Sequence, residues 1–166
     1  MPNVFDLLQE DHRAVETLFG QFEQSGDYDV ALRICEEFTL HAAIEEELVY
    51  PLYRAKVDTA GADEARREHQ EAKDLIAQIE SMGAEGEELQ SVMETLQGAV
   101  SHHVEEEETV LFPKMQEQIS GLVDRMGPEL VLRKETLQSQ RDADRGLGLD
   151  ATVNGQEGVT APDPMP

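Results

Sequence analysis

The chain has 166 residues, 39% of them hydrophobic, and sets 36 Asp and Glu against 13 Lys and Arg for a formal net charge of −23. That size and apolar content suffice for one domain with a substantial core. So acidic a chain is repelled by nucleic acid and by the anionic membrane leaflet, and neither is expected as a partner.

Trp is absent, helix-forming residues dominate, and β-branched or aromatic runs are short, so an all-α fold is expected. The stretch Met1-Pro-Asn-Val-Phe-Asp-Leu-Leu-Gln-Glu has no basic region and no long apolar segment. No signal peptide or membrane-spanning helix is expected there, which points to a cytoplasmic location. Cys35, the single cysteine, has no internal partner and agrees with a reducing compartment. Its neighbours Ile34 and Phe38 suggest a buried thiol that behaves as a small apolar residue.

Val4, Leu8, His12, Val15, Phe19 and Phe22 advance in steps of four and three, tracing one apolar stripe on a first helix that ends near Ser25-Gly26-Asp27. Ile34, Phe38, His41, Glu45, Leu48 and Leu52 continue the alternation through a second helix running to about Thr59-Ala-Gly61. A third carries Ala62, Ala65, His69, Ala72, Ile76 and Ile79 and stops at Ser81-Met-Gly83. After Gly86 a fourth carries Leu89, Met93, Leu96, Val100, His103, Glu107, Val110 and Lys114. Four long helices on short Gly-containing loops predict an antiparallel up-down-up-down four-helix bundle over residues 1–120. Pro51 and Pro113 fall inside two of the helices, where each should kink or interrupt its helix.

Beyond Gly121, Leu122, Met126, Leu130 and Leu137 predict one or two short extra helices over 121–145, with Pro128 in a first helical position after Gly127. This extension is expected to pack on the bundle end or on a partner, either another protein or a second copy of the chain. From Gly146 to Pro166 the composition turns to Gly, Pro, Asp and small residues, which describes a disordered tail over 146–166.

The second and fourth helices share a repeat. His41-Ala-Ala-Ile-Glu45-Glu-Glu-Leu-Val-Tyr50-Pro51 returns as His103-Val-Glu-Glu-Glu107-Glu-Thr-Val-Leu-Phe112-Pro113. The i, i+4 spacing leaves each His and Glu about 40° apart on one helix face. His12, His41, His69 and His103 each take a core position on a different helix, with Glu45 and Glu107 one turn beyond two of them. Burying ionised carboxylates without partners is costly, and few Lys or Arg fall at stripe positions. A bound metal pair is the economical explanation, and its rival is a metal-free bundle with hydrogen-bonded core histidines.

His102 forms its own HxxxE with Glu106, but its stripe through Thr95, Ala99 and Thr109 is a poorer core than that of His103. Glu16, four after His12, lies beside the stripe and reads as a solvated or outer carboxylate. The rest of the runs Glu45-Glu-Glu47 and Glu105-Glu-Glu-Glu108 read as solvated face. Imidazole and carboxylate without thiolate suit iron or manganese and also accept zinc. The ExxH spacing of ferritin-like di-iron bundles is absent, since Gln9, Phe38, Arg66, Ala99 and Val100 stand three before the histidines.

One His, an HxxxE, one His and a second HxxxE on four successive helices resemble the hemerythrin-like, or HHE cation-binding, family over roughly Val4 to Ser120. The resemblance implies two non-haem iron ions, one held by His12 and His41 and the other by His69 and His103. It also implies that Glu45 and Glu107 bridge the two ions beside an oxo or hydroxo group. Oxygen-carrying hemerythrins place a further His where this chain has Lys73, and their helix 4 carboxylate stands one residue further on. Two histidines on each ion leave both ions open, which favours binding or turnover of peroxide or nitric oxide over reversible O2 carriage.

The expected partner is therefore a small molecule, O2, H2O2 or NO, and the expected enzyme activity, if any, is peroxide decomposition or nitric oxide chemistry. The alternative is an iron or oxygen sensor or buffer without turnover. Lys73 is read either as a proton donor to bound peroxide or as a snorkelling surface lysine. Tyr50 and Tyr53 are read either as phenols near the metals or as packing at the kink.

Overall fold

The computed structural model describes residues 2–153, and every element in it is helical. Helix α1 spans Val4–Ser25, α2 spans Tyr28–Ile44 and α3 spans Tyr50–Lys56, with a π-helical turn, Glu45–Val49, joining α2 to α3. Helix α4 spans Thr59–Met82 and α5 spans Leu89–Glu106. A second π-turn, Glu107–Leu111, leads into α6, Phe112–Val153, which breaks from helical geometry at Ile119 (φ −138°). Four long helical rods thus form a bundle, and α6 beyond Ile119 lies against α1 and α2. No helix among the described residues is long and apolar enough to cross a membrane.

Side-chain caps set the starts. Asn3 accepts the Phe5 N–H at 2.8 Å and Asp27 that of Asp29 at 2.9 Å, satisfying donors the first turn leaves open. Gly26, at φ 61°, takes the left-handed turn that ends α1 and donates its N–H to Phe22 O. The second rod stops at Lys56, short of the expected Thr59-Ala-Gly61. Asp58 accepts the Gly61 N–H at 3.0 Å and so starts α4 three residues earlier than the pattern suggested.

Neither proline breaks its rod, because each lies just past a π-turn. A regular helix would drive the proline ring against the carbonyl four residues back, and an i→i−5 turn widens the helix at that point. Tyr50 N–H bonds Glu45 O, and Phe112 N–H bonds Glu107 O. Each extra residue also shifts the buried phase by one. Leu48 and Leu52 are only partly buried while Val49, Tyr50 and Tyr53 are buried. Val110 is 37% exposed and Leu111, Phe112 and Met115 are buried instead.

The core is divided in two. Val15, Phe19, Phe22, Ile34, Phe38, Ile76, Met93 and Leu96 belong to one cluster, and Val4, Leu8, Ile44, Tyr53, Ala62 and Met115 to the other. Each rod changes cluster at its histidine, so a polar layer separates the apolar halves. The 121–145 segment packs on the bundle itself, with Val123, Met126 and Leu130 buried in the second cluster. Pro128 lies inside the helical run, not at a first-turn position, and buried Gly127 meets the Pro2 carbonyl so closely that a Cβ would collide with it. Part of the tail expected from Gly146, residues 154–166, lies outside the described residues.

Candidate metal centre

The polar layer consists of His12, His41, Glu45, His69, His103 and Glu107, all buried. Their ligand atoms converge in two adjoining groups. His12, His41, Glu45 and Glu107 form one and Glu45, His69 and His103 the other, the atoms within each lying inside 4.8 Å of one another. The Nε2 atoms of His12 and His41 are 3.1 Å apart, and those of His69 and His103 are 3.0 Å apart. Glu45 connects the groups, with Oε1 3.1 Å from His41 Nε2 and Oε2 3.2 Å from His69 Nε2. Glu107 does likewise, with Oε2 3.3 Å from His12 Nε2 and Oε1 3.5 Å from His103 Nε2.

The outward nitrogens show why the rings face inward. Nδ1 of His12 meets Glu108 at 2.8 Å, that of His69 meets Glu46 at 2.9 Å, and that of His103 meets Glu68 at 2.7 Å. His41 Nδ1 stands 3.6 Å from Asp11, beyond a direct hydrogen bond. A carboxylate hydrogen-bonded behind the imidazole, as at His12, His69 and His103, fixes its tautomer, directs Nε2 at the centre and raises its basicity as a ligand. Every outer carboxylate is met in turn by a basic side chain: Glu108 by Arg13, Glu46 by Lys73 at 2.6 Å, Asp11 by Lys134, and Glu68 by His102 at 3.4 Å.

Sequence reasoning missed these four carboxylates, although the signal was present. Asp11-His12 and Glu68-His69 place an acid just before each lone histidine, and Glu46 and Glu108 each come directly after a repeat's inward Glu. Glu46 and Glu108 are therefore not merely solvated face. Glu16 is exposed and paired with Arg13, so Glu108 is the carboxylate that serves His12. Lys73 faces the carboxylate behind His69 and not the centre.

Of the two readings of Tyr50, the structure supports the first, because its phenol sits inside the layer and does more than pack. Its oxygen is 2.7 Å from Glu107 Oε1, 3.2 Å from Glu45 Oε2 and 3.0 Å from His69 Nε2. Five residues after Glu45, an α-helix would turn Tyr50 about 140° away, whereas the π-turn stacks it over Glu45. In the second repeat Phe112 holds this place and stacks on Phe5, centroids 4.5 Å apart. The phenol therefore enters from one side only.

Burial alone would discharge these groups, yet their mutual attraction outweighs it. Desolvation works against charge on His41, but the Glu45 carboxylate and then the nearby Asp11 carboxylate raise it to about 10. His103 is raised in the same way against burial, chiefly by the Glu107 charge. Burial pushes the Glu45 carboxyl up, while the His41 charge and hydrogen bonds from the surrounding histidines hold it well below the usual range. Burial, and then the charges of Glu107 and Glu45, push the Tyr50 phenol up, so it keeps its proton.

The donor set fits a metal. Glu45 Oε1, Glu107 Oε2 and His41 Nδ1 are buried without hydrogen-bond partners. Two nitrogens about 2.1 Å from a shared ion and a right angle apart stand about 3.0 Å from each other, close to the two Nε2 separations. Nitrogen and oxygen donors with no thiolate suit iron, manganese or zinc. Fold and layer together define a helical bundle with a buried histidine–carboxylate centre.

This chain belongs to the hemerythrin family, since the hemerythrin HHE cation-binding domain matches residues 3–115. It is 30% identical over 158 residues to a DNA nickase of Nostoc sp., a match that takes in 92% of this chain and 43% of the nickase. It is 27% identical over 127 residues to an uncharacterised hemerythrin-like protein of Schizosaccharomyces pombe, covering 72% of this chain and 63% of that relative. The chain thus spans less than two thirds of the length of both relatives. No solved structure matches.

Proposed function

We propose that the chain is a non-haem di-iron protein that binds or turns over a small oxygen or nitrogen species, with peroxide or nitric oxide ahead of reversible O2 carriage. His12 and His41 would hold one ion and His69 and His103 the other, with Glu45 and Glu107 between them. The observation carrying this reading is that two inward imidazole pairs, each imidazole facing a carboxylate on its outer side, share Glu45 and lie on either side of Glu107. An antiparallel bundle is part of the reading. Arg13 meets Glu108 while Gln97 meets Glu23, so the residue numbers rise along α1 as they fall along α5.

Bound iron supplies the redox chemistry that reduction or disproportionation of such ligands requires. The protein's residues supply the rest. Asp11, Glu46, Glu68 and Glu108 hold the imidazoles in register, and the two apolar clusters exclude bulk water. Tyr50 holds a proton within hydrogen-bonding distance of both glutamates. The location we propose is cytoplasmic and the reaction one that does not involve nucleic acid, a view that the net charge of −23 supports. The name of the Nostoc relative makes plasmid nicking the necessary control.

A sensor or buffer reading is favoured by one contact. Lys134 of the C-terminal segment bonds Asp11, the carboxylate facing His41, so occupancy of the centre would be felt in α6. The deciding measurement is metal content per chain on freshly purified protein, with an optical spectrum before and after hydrogen peroxide. Two irons per chain, a diferric absorption that peroxide perturbs and that recovers, and iron retained over many cycles would support turnover. Iron retained without turnover would leave the sensor, and no iron would overturn both readings.

A further inference from the structure

We propose that a side cavity bounded by α3, α4 and the second π-turn is the port through which a divalent cation enters the buried centre. The inference rests on the metal reading, and its test separates the two. The cavity has a volume of about 210 Å3, room for the liquid volume of about seven waters. Its lining reaches from exposed Glu106 at the rim to Glu107, which is 1% exposed and part of the central layer.

Two further observations point to a cation as the traveller. Glu107 Oε2 and Glu68 Oε1, on residues that line the cavity, are buried and accept no hydrogen bond. Carboxylates also outnumber cations along the way. Asp58 is met by Lys114 at 3.3 Å and Glu64 by Arg67, while Glu106 has no ion-pair partner among the described residues. A cleft with low-dielectric walls, here Ala65 and Leu111, focuses such a field and raises the local cation concentration.

The carboxylates behind the other three histidines are each met by a permanent cation. Arg13, Lys73 and Lys134 cover those behind His12, His69 and His41. Among the described residues the carboxylate behind His103, Glu68, is met on its outer side by no lysine or arginine but by His102, and it is the one that lines the cavity. The sole lysine of the lining, Lys114, sits beside Asp58 and opposes entry.

Metal-stripped full-length protein mixed rapidly with cobalt(II) at low ionic strength, monitored by cobalt absorption, reads the entry rate. Glu106→Gln should slow uptake about three- to tenfold and Lys114→Gln should speed it by a similar factor, both with wild-type stoichiometry at equilibrium. Added salt should slow the wild type and narrow these differences. Glu85→Gln, in the loop at the far end of α4 and α5, should leave the rate unchanged. Wild-type rates in both cavity variants, or equal slowing by Glu85→Gln, would overturn the port while leaving the metal centre standing. Failure of the wild type to take up cobalt at equilibrium would instead overturn the metal reading itself.

Discussion

Tyr50 donates its phenolic hydrogen bond across the bundle to Glu107, 2.7 Å away, tying the first repeat to the inward carboxylate of the second. Because both groups are buried, the bond cannot be replaced by water. Tyr50→Phe keeps the ring and its packing and removes only the hydroxyl. In metal-free protein this should cost about 1–3 kcal/mol, the penalty for leaving a buried acceptor without its donor. Urea unfolding of the metal-free form measures it, and an unchanged midpoint would show that the phenol bond adds no stability.

The carboxylates behind the histidines should control affinity without touching the metal. Glu46→Gln and Glu68→Gln remove charge from the Nδ1 sides of His69 and His103. Each should weaken metal binding about 10–100-fold with little change in fold, the usual effect of losing such a partner. Lys73→Ala leaves the Glu46–His69 bond in place and should weaken binding less than Glu46→Gln does. Competition against a chelator of known affinity ranks the three, and equal losses would place Lys73 at the centre.

The contrast between what was legible and what was not has two physical sources. Along α1, α4 and α5 up to Glu107 the 3.6-residue period holds, and every stripe position read from the sequence is buried, histidines included. Past Glu45 and Glu107 it fails, because each π-turn inserts a residue and rotates the helix beyond it. A proline six residues after the inward Glu was the visible trace of that insertion, but it reads equally as a kink or a stop. Tyr50 stayed undecided between metal site and packing for that reason, and Val110 was expected inside. The outer carboxylates were obscured differently, since among 36 acidic residues a neighbour's charge carries no information about which way it points.

Stability in acid should depend on Asp58. Its hydrogen bond from the Gly61 N–H, and then its contact with Lys114, hold its carboxyl below the ordinary value of 3.8. A depressed folded-state pKa means the contribution is fully present above the unfolded value and is lost as pH falls through the lower, folded one. Asp58→Ala should therefore lower the thermal midpoint at pH 6, and the gap to wild type should shrink as pH falls below about 4. A gap that stays constant down to about pH 2 would mean the charged cap contributes nothing.

The C-terminal extension should prove part of the cooperative unit through its apolar face and not through its ion pairs. Leu130 is 1% exposed, within the same cluster as Val4, Leu8 and Ile44 from the start of α1 and the end of α2. Leu130→Ala should cost about 2–5 kcal/mol, the range for truncating a buried leucine whose surroundings collapse only partly. Arg133 is paired with Glu47 at 2.5 Å, but in solvent such a pair adds little, and Arg133→Ala should leave the midpoint nearly unchanged. Denaturant unfolding of both variants decides the matter. A large loss for Leu130→Ala in a single transition makes residues around Leu130 a structural wall of the bundle. An unchanged midpoint would mean the extension detaches without consequence, and the Lys134–Asp11 contact could then transmit nothing to His41.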